Sequence, residues 1–211
     1  MKTSSEQMTK DSTRKEWLVE LIKKRRTRKP IYFDAKVSSE TIEYLIDVAR
    51  NAPNHHRTEP ARFYILDCEH IRKVGKLFKE VISGDSIDPA LVKKGLRKEK
   101  EWGNSTGLLV ITSYTDENSL LLRKNPTVVQ ENYATTCCII QNLLLLFEAN
   151  NISAKWSTGP VWEHPSFPST IGMEDPKKEK VVALIFYGIS DLKAEIRTLS
   201  PLKNFIVNHS K

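Results

Sequence analysis

The 211-residue sequence lacks the glycine-rich motifs that hold nucleotide phosphates in many enzymes. No G-x-G-x-x-G follows a strand pattern and no G-x-x-x-x-G-K-S/T occurs, which excludes the usual Rossmann and P-loop sites. The H-E-x-x-H motif of zinc proteases is also absent. A phosphorylated ligand would therefore have to be bound without a glycine-rich loop.

Cysteine and long apolar runs are both scarce. The three cysteines, Cys68, Cys137 and Cys138, have no metal-ligand spacing, and two of them are adjacent, so a disulfide framework is not expected. We expect reduced, buried thiols and hence a cytoplasmic protein. Residues 1–14 are polar, and Gln141 and Asn142 interrupt the longest apolar stretch, so we expect neither secretion nor a membrane span.

Cations are in excess, with 33 Lys and Arg against 26 Asp and Glu and a net charge of +7. Six of the seven residues from Lys23 to Lys29 are Lys or Arg. Such a run is typical of a solvated helix end or a nucleic-acid-binding surface, because clustered cations attract phosphate backbones. A second interpretation is a fork for one phosphate, in which arginines bind bidentately and the Thr27 hydroxyl adds a hydrogen bond. From this run alone, the first interpretation is favoured.

Apolar periodicity predicts helices and strands that interleave irregularly within a single domain of residues 13–211, preceded by a flexible tail of residues 1–12. A capping-box pattern at Thr13 and Glu16 predicts the start of the first helix, which should end at Arg25 or Arg26. The other predicted helices begin at Ser38 or Ser39, near residue 71, at Pro89 and near residue 127. Strands are predicted at 62–66, 108–111, 181–187 and 204–207, and loops at 51–60, 116–126 and 155–162.

The helix predicted over residues 127–150 is apolar on nearly every side. Such a helix must be buried on every side, and at this chain length we expect it to form a subunit interface. Cys137 and Cys138 have no basic partner there and should serve packing, and Asn142 should be a buried structural polar group. His55 and His56 are adjacent, and consecutive side chains on a regular element point apart, so no two-histidine metal site is expected.

Four short motifs follow one another along the chain. They are Arg25-Arg26-Thr27-x-Lys29 after the first helix, APNHHRTEP over residues 52–60 before a strand, Gln141-Asn142-Leu143 in the apolar helix, and Trp156-Ser157-Thr158-Gly159 after it. In this order and at these separations they resemble the FMN-dependent nitroreductase family, and most closely its compact single-domain branch with a histidine in the Ala-Pro loop. The resemblance covers residues 15–207.

The resemblance implies an α+β fold of three layers, in which helices flank a mainly antiparallel sheet. It further implies an intertwined homodimer with one FMN in each of two interfacial pockets. The implied activity passes hydride from NADH or NADPH through FMN to a nitroaromatic or quinone-like small-molecule acceptor by a ping-pong mechanism. The flavin would carry the chemistry, so no catalytic side chain is expected, and neither a metal, a nucleic acid nor a membrane is expected as a partner.

The resemblance also assigns residues to the flavin site. Arg25, Arg26 and Thr27 match the Arg-Arg-Ser signature that holds the FMN phosphate, the ribityl chain and the pyrimidine edge. Arg197 resembles a C-terminal basic residue that adds a second phosphate contact. Residues that match positions reaching the flavin from the other subunit are Asn51, Asn54, His55 and Arg57, and those that match the loop beside the isoalloxazine are Trp156, Ser157, Thr158 and Gly159.

The chain departs from the family pattern at Thr27, where serine is common, and at Glu59-Pro60-Ala61, where Gln-Pro-Trp is common. The first change keeps the hydroxyl. The second removes an aromatic side chain and places a carboxylate near the pocket, which bears on substrate preference more than on flavin binding. Two alternatives stay open at this point: a basic-patch nucleic-acid-binding protein, and a flavin-binding protein that does not turn over.

Overall fold

A four-stranded antiparallel sheet separates two layers of helices. The computed structural model describes residues 4–192, 195 and 197–209, with the backbone alone for residues 4–12. The strands are β1 (Ala61–Leu66), β2 (Leu108–Tyr114), β3 (Ser153–Ser157) and β4 (Glu179–Gly188). Their order across the sheet is β1-β2-β4-β3, so the last strand of the chain lies between two earlier ones.

Seven α-helices occur in the described part of the chain. Several begin at side-chain caps that the sequence supplies: Ser38 accepts a hydrogen bond from the Thr41 amide, and Asp67 accepts one from the His70 amide. The helices are α1 (Ser4–Lys24), α2 (Ser39–Ala49), α3 (Cys68–Ser83), α4 (Pro89–Gly103), α5 (Leu120–Lys124), α6 (Val128–Ala149) and α7 (Phe167–Ile171).

Each face of the sheet has its own apolar core. Helices α2 and α6 pack on one face, where Ile42 and Phe147 meet Ile185 of β4. Helices α3, α4 and α7 cover the other face, where Trp102 packs with Phe186 of β4 at a ring-centroid distance of 4.8 Å. Because β4 is central, its alternate residues fill both cores, and helices on both sides make this a three-layer α+β fold.

Most predicted elements agree with the structure, and four do not. Helix α1 begins at Ser4, so Thr13 lies within the helix and does not cap it. Residues 155–157 belong to β3, and the connection at 116–126 contains the short α5. Residues 204–207 form no strand; a 3₁₀ turn spans Leu202–Asn204 instead. The division into a tail of residues 1–12 and one domain stays a prediction.

The thiols are free, as predicted, but the expectation that they are buried is wrong: Cys138 is exposed, and Cys68 and Cys137 are only partly buried. Burial raises the pKa of the Cys137 thiol above its ordinary value, against a hydrogen bond with Tyr133 that lowers it. Among the described residues, no helix combines the length and the apolar character that a membrane crossing requires.

Candidate functional site

The Arg25-Arg26-Thr27 motif lies along the outer edge of β3. Thr27 forms an isolated parallel bridge with Ala154, and the Arg28 amide donates to the Ala154 carbonyl at 3.0 Å. Since β3 continues to Ser157, this pairing puts the first motif along the same strand that leads into the last one, residues 156–159. Two motifs that are about 130 positions apart in sequence thus share one sheet edge.

The C-terminal segment passes over the same edge. The Arg26 Nε donates to the carbonyl of Glu195 at 3.0 Å, and the Arg28 Nε donates to the carbonyl of Leu192 at 3.2 Å. Arg197 is exposed and follows Glu195 by two residues, so the backbone brings it into the neighbourhood of Arg26. Its role as a phosphate contact stays a prediction.

Three buried polar atoms on or near β3 have no hydrogen-bond partner among the described residues. They are the Ser157 hydroxyl, the Trp156 indole N–H and the Trp102 indole N–H, the last of which is on α4. They lie on both faces of the sheet, because Trp156 packs against the α2–α6 core and Trp102 belongs to the core on the other face. Ser157 is only 6% exposed. Buried polar groups of native proteins nearly always have a partner, because leaving one unsatisfied costs about 1–3 kcal/mol. The three atoms are therefore candidates for contacts with a ligand.

Gly159 continues this edge in an extended conformation, with φ 172°. A Cβ atom at this position would lie 3.7 Å from both Phe78 and Trp102, which is ordinary van der Waals contact. The fold therefore does not require glycine here. Packing does not explain why this residue is glycine, whereas the close approach of a flat ligand would explain it.

The Ala-Pro loop lies at the opposite edge of the sheet, because it leads into β1. Neighbouring strands are about 4.8 Å apart, so three spacings, about 14 Å, separate the two edges. The structure thus places Arg25, Arg26 and Thr27 at the same sheet edge as residues 156–159, and leaves Asn51, Asn54, His55 and Arg57 at the opposite edge within one chain.

Two of the loop residues already have partners within the chain. The Asn51 amide nitrogen donates to the carbonyl of Val48 at 3.1 Å, which closes the end of α2. The Asn54 side-chain oxygen accepts from the Thr58 amide at 3.1 Å. Both side chains line a pocket of about 540 Å³ that also contains Glu59 and Ala61, the two departures from the family pattern.

His55 and His56 are side by side, which contradicts the premise that adjacent histidines must point apart. Their rings are stacked, with centroids 4.1 Å apart. The physical reason is that this loop is not a regular element: His56 and Arg57 have φ values of 59° and 51°, in the left-handed region. The Nδ1 of His55 lies 2.9 Å from the Glu131 Oε2 at the start of α6.

A second pocket, of about 450 Å³, adjoins Thr158. Its walls are largely apolar and include Trp162 and Phe167, with Tyr133 of α6 on one side. Glu179 is also in the wall; it accepts hydrogen bonds from the Tyr64 hydroxyl at 2.7 and 2.9 Å and from Thr112. Burial, followed by this carboxylate, raises the pKa of the Tyr64 phenol, so Tyr64 stays a neutral donor.

Sequence analysis missed Arg28, which the structure places at the base of the first motif. Its guanidinium pairs with the Glu148 carboxylate at 2.9 Å, and the two side chains are only 12% and 8% exposed. A signal was present in the sequence, because Glu148 is the only acidic residue in α6 after Glu131. A carboxylate at the end of an apolar helix needs a cationic partner.

A second missed contact links β3 to α4. The Lys155 Nζ lies 3.3 Å from Glu101 Oε1, and the Lys98 Nζ lies 2.7 Å from Glu101 Oε2. Burial alone would raise the pKa of Glu101, but the hydrogen bonds and positive charges of the two lysines outweigh it and lower this pKa. The Lys155–Glu101 ion pair fixes β3, the strand that carries Trp156 and Ser157, to α4.

The chain is similar to known proteins over most of its length. The model of the Nitroreductase family matches residues 22–189. The Bacillus subtilis protein named "Putative NAD(P)H nitroreductase YfhC" is 26% identical over 169 residues, which is 80% of this chain and 82% of that protein.

Solved structures of the same fold are also similar. A nitroreductase-like family protein from Bacillus cereus superposes with a TM-score of 0.72 at 20% identity, covering 91% of this chain and 96% of that one. A nitroreductase with bound FMN from Bacteroides fragilis gives 0.66 at 16% identity, covering 91% and 98%. The expected α+β nitroreductase-like fold is thereby confirmed, and the chain belongs to the Nitroreductase family.

Proposed function

We propose that this chain is an FMN-dependent oxidoreductase that works as a cytoplasmic homodimer. The observation that carries the proposal is the pairing of Thr27 with Ala154, which puts the Arg25-Arg26-Thr27 motif along the edge strand that also carries the buried Ser157 hydroxyl, an atom without a hydrogen-bond partner among the described residues. Convergent cations for a phosphate and free polar groups for a ring system then lie along one sheet edge. A similar fold holds FMN in the Bacteroides fragilis nitroreductase.

The residues present fit FMN. In this proposal Arg25, Arg26 and Thr27 hold the phosphate and the ribityl chain, with Arg197 as a further phosphate contact. In the same proposal the Ser157 hydroxyl and the Trp156 indole N–H, which have no partners among the described residues, offer hydrogen bonds to the ring, with Thr158 next to them, and Gly159 adds no side chain at this edge. When bound, FMN would supply the chemistry, taking hydride from NADH or NADPH and giving it to the acceptor.

The protein's own contribution is to bind, orient and exclude water. Arginine side chains near the ring stabilise negative charge, and this stabilisation is strong where water is excluded. The apolar pocket beside Thr158 suits a planar acceptor such as a nitroaromatic or a quinone, since pockets of about 300–1,000 Å³ with apolar walls bind ligands of that size. Two substrates that use one pocket in turn imply ping-pong kinetics.

The surfaces that one chain leaves exposed support the proposal of a homodimer. On α6, a stripe of Ala134, Cys138 and Gln141 faces solvent. On α1, Trp17 and Ile22 are 56% and 52% exposed. Large exposed apolar surfaces mark interaction sites. The C-terminal segment also exposes apolar side chains, namely Leu199, Leu202, Phe205, Ile206 and Val207.

The proposal is tested by flavin binding and reduction. Natively purified protein is incubated with excess FMN, freed of unbound flavin by gel filtration, and titrated anaerobically with NADH and with NADPH. We expect about one flavin per chain, reduced by at least one nicotinamide, because the family pocket holds one FMN per subunit. Colourless protein would overturn the proposal, and a bound flavin that stays oxidised would leave only the alternative of a flavin protein without turnover.

A matched pair of variants tests the phosphate assignment. Arg25→Ala should weaken FMN binding about 10- to 100-fold, the loss expected when a charge-assisted hydrogen bond worth about 1.5–3 kcal/mol is removed. Lys23→Ala, two residues earlier on an exposed position, should change the affinity less than about twofold. Equal losses in the two variants would contradict the assignment.

Lys23 and Lys24 test the nucleic-acid alternative. A basic-patch protein would bind a DNA duplex with a steep salt dependence that Lys23→Ala and Lys24→Ala reduce. One of the six cations is unsuited to such a surface, because Arg28 is largely buried and paired with Glu148. Tight, salt-dependent DNA binding by flavin-free protein would favour this alternative.

A further inference from the structure

His55, His56 and Glu131 form a compact group of nitrogen and oxygen donors. One ligand atom from each residue lies within 4.8 Å of the other two. The Glu131 Oε2 is 2.9 Å from His55 Nδ1 and 4.0 Å from His56 Nε2. The left-handed backbone at His56 produces this arrangement, because it turns the second ring back beside the first.

One oxygen of the Glu131 carboxylate has no hydrogen-bond partner among the described residues. Its Oε2 is buried and accepts no hydrogen bond of acceptable geometry, although His55 is near, whereas its Oε1 lies 3.2 Å from the Thr127 hydroxyl. A buried carboxylate oxygen normally has a donor or a cation as its partner. One oxygen is therefore oriented by a neighbour and the other is directed at the two imidazoles.

The two segments that supply the ligands are fixed to each other. The Thr58 hydroxyl, two residues after His56, donates to the Asn132 side-chain oxygen at 2.6 Å. Asn132 is 4% exposed and also donates to Thr115 at 2.9 Å and to the Tyr114 carbonyl at 3.3 Å. Because Asn132 follows Glu131 directly, this network holds the loop and α6 in register independently of any ligand.

We propose that His55, His56 and Glu131 form a divalent transition-metal site of the zinc class. Zn²⁺ binds imidazole nitrogen and carboxylate oxygen at about 2.0–2.2 Å, so tetrahedral donors lie about 3.3 Å apart. The observed separations of 2.9 and 4.0 Å bracket that value, and small side-chain rotations suffice to reach it. Two imidazoles among three donors favour Zn²⁺ or Cu²⁺ over Mg²⁺ and Ca²⁺, which prefer oxygen.

The site has three protein ligands, which leaves a fourth position for water or a small anion. This is the ligand count of zinc sites that exchange a ligand, whereas structural zinc sites have four protein ligands. All three ligands come from one chain, so the proposal does not depend on flavin binding. His55 is also a predicted flavin contact, and a bound metal would hold its ring through Nδ1.

The test is a calorimetric titration of the full-length protein with ZnCl₂ and with MgCl₂ after treatment with a chelator, in the presence and absence of FMN. We expect about one Zn²⁺ per chain and no Mg²⁺. His56→Asn keeps a residue that tolerates the left-handed backbone, and Glu131→Gln keeps the shape of the side chain. Each should weaken Zn²⁺ binding by more than about tenfold.

His70→Ala is the matched control, because His70 also contacts a carboxylate, Asp67 at 2.8 Å, but has no second histidine beside it. Its Zn²⁺ affinity should equal that of the unchanged protein. Circular dichroism of each variant identifies any that fail to fold, and elemental analysis gives the zinc content independently. An unchanged protein that takes up no Zn²⁺, or an equal loss in His70→Ala, would overturn the site. Loss of flavin binding with Zn²⁺ uptake intact would count against the proposed function alone.

Discussion

Gly159 is a residue that the proposed ligand binding requires to be small and that folding does not. An alanine there meets only ordinary contacts at 3.7 Å with Phe78 and Trp102. We therefore expect Gly159→Ala to leave the thermal midpoint nearly unchanged while it weakens FMN binding about tenfold, since a methyl group would intrude on the ring's approach. Thermal unfolding of flavin-free protein and a fluorescence titration with FMN measure the two effects.

Gly107 provides the contrasting control. A Cβ there would lie 2.4 Å from the ring of Tyr187, which is 4% exposed and cannot move aside. Gly107→Ala should lower the free energy of unfolding by about 1–3 kcal/mol, the usual cost of overpacking, and should lower the thermal midpoint accordingly. If Gly159→Ala destabilises the flavin-free protein as much as Gly107→Ala, the glycine serves the fold and not the ligand.

The Arg28–Glu148 ion pair predicts a large loss of stability. Glu148→Gln leaves a guanidinium that is 12% exposed without its counter-ion, so the free energy of unfolding should fall by about 3 kcal/mol or more. The comparison is Asp47→Asn, which removes an exposed partner of Arg50 and should cost less than about 1 kcal/mol. Urea unfolding measures both, and similar small losses would mean that water already screens the buried pair.

For single residues, the sequence shows which residues belong to a motif, but it does not show which distant residue each one contacts. Arg25, Arg26 and Thr27 were recognisable because their motif stands in register with three others. The role of Arg28 was not recognisable, because its partner is 120 residues away and only tertiary packing joins them. The stacking of His55 and His56 was missed for another reason: a left-handed backbone at histidine is uncommon and no local pattern announces it.

Among the elements, the long helices were predictable and β3 was not. Helices α2, α3 and α6 show apolar residues at helical spacing and have caps or stops at their ends. Strand β3 has five residues, two of them serine and one lysine, and lies at the edge of the sheet. Its conformation depends on pairing with β4 and with Thr27, which no short window of sequence contains.

The link between β3 and α4 predicts a pH-dependent stability. The pKa of Glu101 is lower in the folded protein than its ordinary value of 4.5, so folded Glu101 binds a proton less readily than unfolded Glu101. Its contribution is complete above pH 4.5 and is lost as the pH falls through the lower, folded value. The difference in unfolding free energy between the unchanged protein and Glu101→Gln should therefore be largest near neutral pH and shrink in acid.

Glu69→Gln is a suitable reference for that measurement. Glu69 pairs with Lys73 at 2.7 Å on the surface of α3, where both side chains are more than half exposed. Its removal should change the unfolding free energy little at any pH, because water and salt screen an exposed pair. A Glu101→Gln difference that stays constant from pH 7 to acid would show that Glu101 acts through packing and not through charge.

For the whole molecule, two groups of predicted flavin contacts lie at opposite edges of the sheet: the Arg25-Arg26-Thr27 motif is one half-site and the Ala-Pro loop is the other. This separation predicts that variants of different half-sites complement each other. If each pocket joins the Arg25 edge of one chain to the Ala-Pro loop of the other, Arg25→Ala and His55→Ala should each bind flavin poorly alone. Mixed dimers of the two would contain one intact pocket. Co-refolding equal amounts should restore about a quarter of the flavin sites, because half of the dimers are mixed and each has one of two pockets intact.

The control mixes two variants of the same half-site, Arg25→Ala with Arg26→Ala. No mixed dimer of that pair has an intact pocket, so flavin binding should not recover. Recovery is measured as bound flavin absorbance after gel filtration. Absence of recovery in the first mixture, with dimers present, would mean that one chain supplies the whole pocket.

The order of the strands also determines at which point of synthesis the sheet can close. The central strand, β4, is the last to be synthesised, and it pairs with β2 on one side and β3 on the other. Until it leaves the ribosome, both neighbours have open edges that can pair with other chains. The nascent protein therefore has to stay unaggregated through nearly its whole synthesis and then close its sheet in one late step, which makes slow translation or a chaperone useful before residue 188 emerges.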